Sequence, residues 1–259
     1  RDVERSRGLG DVYKRQKLNM QTDMTVGKPM KMLLNFTIPV FLGNVFQQLY
    51  SMADAVIVGK FVGTKGLAAV GATGTITFLI IGFLMGVTTG VTVLTSQKFG
   101  AGRMDEMRKT VGNAAILSAV IAVVMTAVSM LGMHRLLVFM HTPEDIFDGA
   151  YGYIMIICAG IFTQVLYNLV SSILRALGNS KTPLYFLILA AGLNIVLDLV
   201  FIIFFHWGAP GAAWATVISQ GVSGVLCLIY MWKAVPELKM KKEDWYFCLL
   251  YTSDAADDL

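Results

Sequence analysis

Asn194-Ile195-Val196-Leu197-Asp198 lies deep inside an apolar run covering residues 182–205. A carboxylate at such a depth costs about 2.5–3.5 kcal/mol on insertion scales, so Asp198 faces a protein interior or a watery cavity, not lipid. Asn194 stands four residues earlier, and positions i and i+4 share a helix face, so amide and carboxylate can turn toward one space. Two oxygen-bearing side chains together suggest a cation or proton site. The plainer alternative is an ion pair with a Lys or Arg of a neighbouring helix, but none of the apolar cores contains one.

Working outward, the run is one of many. The chain is 56% hydrophobic and 15% charged, a composition that with long apolar stretches belongs to a polytopic membrane protein. Its net charge of +4 invites a nucleic-acid reading, yet the basic residues sit in short loops between apolar runs, where membrane topology accounts for them. With about 20 apolar residues needed for one crossing, six spans emerge: residues 32–58, 72–97, 111–133, 146–174, 183–205 and 212–232. The expected fold is therefore all-α, a six-transmembrane-helix bundle. If the N-terminus is cytoplasmic, thirteen Lys and Arg fall in inner segments and three, Lys60, Lys65 and Arg135, in outer ones. That asymmetry places both ends inside.

Both ends carry a second signature. Residues 11–16, Asp-Val-Tyr-Lys-Arg-Gln, can be encoded by GATGTGTATAAGAGACAG. The reverse complement of that DNA, read one base in, encodes Cys-Leu-Leu-Tyr-Thr-Ser, which is residues 248–253. Residues 1–16 and 248–259 are accordingly read as translated sequencing adapter, leaving 17–247 as protein. Cys158 and Cys227 then remain, each inside an apolar run, with neither a disulfide framework nor zinc spacing.

Polar groups inside the spans carry the chemistry. In the first span Pro39 cannot donate to the carbonyl of Asn35 and should bend the helix. Asn44, Gln47, Gln48, Tyr50 and Asp54 follow, too many polar groups for a lipid-facing helix. The amides suit either interhelical hydrogen bonds or a cavity, and Asp54 either a site or a helix end near the interface. Gly82, Gly86 and Gly90 recur every four residues in the second span, a stripe that lets another helix approach closely. The fourth span carries Tyr153, Gln164, Tyr167 and Asn168 and ends near Arg175 and Gly178-Asn179. His134, His141 and His206 fall in outer segments without metal spacing. No HExxH, GxSxG or phosphate-loop pattern is present, so the sequence gives no sign of an enzyme.

Depth offers an independent check. At 1.5 Å per residue from the outer surface, Asp54 lies roughly 8 Å in, Asp198 about 11 Å, Asn194 about 17 Å and Thr216 about 6–9 Å. All four share the outer half of the bilayer. Oxygen-only ligation suits a hard cation such as Na⁺, or a proton held on one carboxylate.

An ordered set of motifs resembles a known family. It comprises Pro39, then Gln47-Gln48-Leu49-Tyr50-Ser51-Met52-Ala53-Asp54, then Leu67-Ala68-Ala69-Val70-Gly71 and Ser96-Gln97 with Gly100-Ala101-Gly102. Leu177-Gly178-Asn179-Ser180-Lys181-Thr182-Pro183, Asn194 with Leu197-Asp198, and Gly211-Ala212-Ala213-Trp214-Ala215-Thr216 complete it. Together they resemble the multidrug and toxic compound extrusion (MATE) transporters over residues 30–232. The resemblance implies a twelve-helix antiporter of two six-helix lobes, with residues 17–247 as the N-terminal lobe and the C-terminal lobe absent. It implies export of small organic, usually cationic, compounds in exchange for Na⁺ or H⁺, with no other cofactor and no nucleic acid. Asp54, Asn194, Asp198 and Thr216 match the family's cation site, and Pro39 its first-helix bend. Gln47, Tyr50, Tyr153 and Asn168 fall where the lobe's cavity would be, as substrate or proton-network contacts. A multi-pass protein of a prokaryotic inner (plasma) membrane is implied. The alternative is a flippase for lipids or lipid-linked oligosaccharides, whose cavities are usually more basic than a chain with two intramembrane acids suggests.

Overall fold

The computed structural model describes residues 29–235 and Leu238. The readings of residues 1–16 and 248–259 lie outside the described residues, as do Lys17, Lys28, Lys239, Lys241 and Lys242. Every long apolar run becomes a helix: α1 (Pro29–Phe61), α2 (Thr64–Gly100), α3 (Met104–Phe139), α4 (Glu144–Ala159), α5 (Ile161–Ala176), α6 (Lys181–Leu199) and α7 (Gly208–Ala234). A π-helical segment, Val200–Phe204, continues α6. The wider turn, with Phe205 N–H donating to Val200 O at 3.2 Å, begins two residues after Asp198. Such widenings cluster at functional positions.

Five of these elements, α6 counted with its π-helical continuation, are each long and apolar enough to cross a membrane, and α4 with α5 makes a sixth crossing bent by 47°. The single fourth span of the sequence is thus two helices joined at Gly160. A Cβ at Gly160 would stand 2.2 Å from Val217 Cγ2, so the missing side chain is what lets α7 press into the break. Close approach at this one glycine contrasts with the stripe in α2. A Cβ at Gly82, Gly86 or Gly90 would meet nothing within 4 Å, so among the described residues that stripe packs against no helix.

Two apolar cores form, one at each end of the bundle. Val58, Ile80, Leu137, Ile154 and Ile157 belong to the first; Met107, Val111, Val170, Leu174 and Cys227 belong to the second. Helix α7 packs against α4, α5 and α6, and α1 packs mainly on α6. Only Pro39, Asp54 and Val58 are buried among the described side chains of α1, which makes it the most loosely held helix. Large apolar side chains such as Phe78, Val123, Leu131 and Phe204 face outward, at a cost in water that a bilayer removes. Ion pairs keep to the turns and helix ends: Lys65–Asp145 at 3.7 Å, Lys98–Glu106 at 2.9 Å, Arg103–Glu106 at 3.6 Å, and Arg108–Asp105.

Candidate cation site and facing cavity

Three helices assemble the oxygen cluster. Helix α6 brings Asn194 and Asp198 on one face, both completely buried, and α1 brings Asp54, 9% exposed. Helix α7 adds the half-buried Thr216. Asn194 Nδ2 donates to Thr216 Oγ1 at 3.4 Å, and the Tyr50 hydroxyl donates to the same oxygen at 3.2 Å. The Asp54 and Asp198 carboxyls lie within electrostatic range of each other.

Both donors of the cluster, Asn194 Nδ2 and the Tyr50 hydroxyl, go to Thr216 and not to the carboxyls. Among the described residues, Asp54 Oδ1, both oxygens of Asp198 and Asn194 Oδ1 are buried without a hydrogen-bond partner. None of the ion pairs among the described residues reaches Asp54 or Asp198. The ion-pair alternative for Asp198 therefore fails among the described residues. Two adjacent carboxylates sharing unpaired acceptors call for something positive between them, a proton or a small cation. Thr216 Oγ1 already accepts two hydrogen bonds, so ligation of a cation by this oxygen requires Tyr50 or Asn194 to turn away. Among the described residues no group of three or more His, Cys, Asp or Glu forms. The donor set, two carboxylates with an amide and a hydroxyl, fits an alkali cation or a proton better than a transition metal.

The four cavity residues expected from the sequence divide into two pairs. Tyr50 joins the cluster through Thr216, and Tyr153 on α4 lies within electrostatic range of both carboxylates. Gln47 and Asn168 instead line a cavity between α1, α5 and α6, together with Pro39. The cavity encloses about 480 Å³ including its open mouth. Asn44, one of the first-span amides that suit either an interhelical bond or a cavity, also lines it, as do Arg175 and Ser180, for which the sequence implies no cavity role. The available signal for Arg175 is its spacing. Asn168 and Arg175 are seven residues apart and so share one face of α5. Helix α1 runs unbroken through Pro39, which occupies the cavity wall.

Six apolar crossings around a buried acidic pocket define a multi-pass membrane protein. The family model described as MatE matches residues 39–200, and the chain belongs to that family. It is 33% identical over 211 residues to "Probable multidrug resistance protein YpnP" of Bacillus subtilis, covering 82% of this chain and 47% of that protein. A solved MOP superfamily transporter from Pyrococcus furiosus superposes with a TM-score of 0.83 at 26% identity, over 92% of this chain and 52% of its own. A multidrug resistance MATE family transporter in an outward-facing conformation gives 0.82 at 28% identity, over 88% and 51%. The chain spans about half the length of the curated relatives it matches. Both solved proteins are described as transporters, and the relatives do not favour the flippase alternative.

Proposed function

We propose that the full-length protein, with this chain as its N-terminal lobe, exports organic compounds, often cationic, in exchange for Na⁺ or H⁺. The observation that carries this reading is the set of buried oxygens of Asp54, Asn194 and Asp198 that find no hydrogen-bond partner among the described residues. Both ends of residues 17–247 lie on the cytoplasmic side of a prokaryotic inner membrane in this proposal, and a second lobe completes the translocation path.

Coupling follows from charge. A cation or proton arriving between Asp54 and Asp198 removes their mutual repulsion and draws α1 toward α6. Helix α1 is the loosely packed element, and Pro39, in the cavity wall, removes one donor from its hydrogen-bond ladder. Drawing the Asp54 end inward bends α1 at Pro39, narrows the cavity and expels its contents. The ion drives this only by binding the two shapes unequally, and substrate must in return weaken ion binding by the same factor.

The test is export of a fluorescent organic cation from vesicles holding the full-length protein, under an imposed Na⁺ or H⁺ gradient. Export driven by one gradient, and not by a membrane potential alone, is the expected result and names the ion. Absence of export under both gradients from folded protein overturns the antiporter reading.

A further inference from the structure

The cavity between α1, α5 and α6 holds one charged side chain, and it is basic. Arg175 lines it, and among the described residues no Asp or Glu does. Among the described residues no carboxylate pairs with Arg175. Among the described residues its side chain makes one hydrogen bond, from Nη2 to Ser172 Oγ at 3.3 Å, which leaves most of the guanidinium donors uncommitted.

Helix capping does not account for this arginine. The last carbonyls of α5 are closed by backbone: Asn179 N–H donates to Leu174 O at 2.9 Å and Gly178 N–H to Arg175 O at 2.9 Å. Gly178, at φ +81°, supplies the left-handed residue that this closure needs. The guanidinium is therefore free to serve the cavity. Around it stand neutral hydrogen-bonding groups: Asn168 on the same face of α5, Asn44 and Gln47 on the facing side of α1, and Ser180 from the turn before α6. Amide N–H groups beside an unpaired guanidinium are the donor set that recognises an oxyanion, with the planar fork of arginine matching a carboxylate or phosphate.

We infer that this cavity binds the carboxylate or phosphate group of its ligand at Arg175, with Asn168 and the α1 amides completing the contact. The substrates of the lobe are then amphoteric or anionic at one end, not simply cationic. Asp54 and Asp198 remain with the coupling ion, and Arg175 reads the substrate. The inference deepens the export reading and rests on it for the meaning of the cavity. Its test is binding at equilibrium without any gradient, so its failure leaves ion-coupled export standing, and failed coupling leaves this site standing.

The experiment uses the full-length protein in neutral phosphatidylcholine nanodiscs and two dyes, a rhodamine with a free carboxylate and its methyl ester. The wild type is expected to hold the free acid about tenfold more tightly than the ester, equivalent to ~1.4 kcal/mol. Arg175→Gln removes that preference while leaving ester affinity unchanged, and Arg175→Lys, which keeps the charge without the fork, retains part of it. Competition in the wild type identifies the source of the anion. Displacement of the free acid by inorganic phosphate marks a soluble solute, and displacement only by added phosphatidylglycerol marks a lipid headgroup. Equal binding of acid and ester by the wild type overturns the inference, as does an Arg175→Gln variant that weakens both dyes alike. If Arg175→Gln does not fold, the wild-type competition decides: no displacement by phosphate or by phosphatidylglycerol overturns the inference.

Discussion

The two ends of this lobe solve opposite electrostatic problems with similar neutral partners. Among the described residues, no donor satisfies the buried oxygens of Asp54 and Asp198 at one end, and no acid pairs with Arg175 in the cavity at the other. Amides and hydroxyls accompany both: Asn194, Thr216 and Tyr50 beside the carboxylates, Asn168, Asn44 and Ser180 beside the guanidinium. Had the chain placed the arginine next to the acids, the bundle would hold a buried ion pair and nothing would need to bind. Separating the charges leaves each end incomplete. An incomplete end is one that a ligand can finish.

Helix α1 and the bent α4–α5 pair connect the ends. Along α1, Pro39 and Gln47 belong to the cavity and Tyr50 and Asp54 to the cluster. Across the 47° bend, α4 delivers Tyr153 to the acids and α5 delivers Asn168 and Arg175 to the cavity. A change of α1 shape at Pro39 is therefore felt at both ends.

The largest expected effect breaks the comparison at its acidic end. Asp198→Asn in the full-length protein keeps the shape and removes the charge, and gradient-driven export should fall to background in the vesicle assay. Equilibrium preference for the carboxylate dye at Arg175 should survive. Next comes the joint between the ends. Gly160→Ala drives a methyl group into the stiff side chain of Val217, an overpacking that costs about 1–3 kcal/mol. The thermal unfolding midpoint should drop accordingly, and Val217→Ala on the same background should recover most of it. Thr216→Val deletes the acceptor shared by Tyr50 and Asn194, leaving two donors unmatched at about 1 kcal/mol each. Cation affinity should fall several-fold with the dye preference intact. The smallest effect is at the cavity. Asn168→Ala removes one neutral donor, worth roughly 0.5–1.5 kcal/mol, and should weaken the carboxylate dye without altering cation affinity.

How much of this was legible in the sequence depends on what hydropathy measures. Asp198 and Asn194 stood out because polar side chains interrupt an otherwise continuous apolar run, and four-residue spacing fixes a shared face on any helix. The six crossings were legible for the same reason. Composition carries no record of helix continuity, so residues 146–174 read as one span although Gly160 breaks them. Nor does it record rotation about a helix axis. Gln47 and Tyr50 are three residues apart on α1, yet one serves the cavity and the other the cluster, a division set by where α6 and α7 lie. Arg175 escaped because it sits at a span boundary, where the positive-inside pattern already explains an arginine. Only the packing of α5 against α1 and α6 turns it toward a cavity. The glycine stripe of α2 meets no helix among the described residues, because spacing alone does not supply a partner to pack on it.

The central claim is that Asp54, Asn194, Asp198 and Thr216 form the coupling-ion site. Its most direct test is equilibrium titration of the full-length protein with Na⁺ by calorimetry and with protons by potentiometry, for the wild type, Asp54→Asn and Asp198→Asn. The account predicts one saturable cation or proton uptake in the wild type, weakened by bound substrate and lost in both variants. Uptake of undiminished size and affinity in both variants would contradict it.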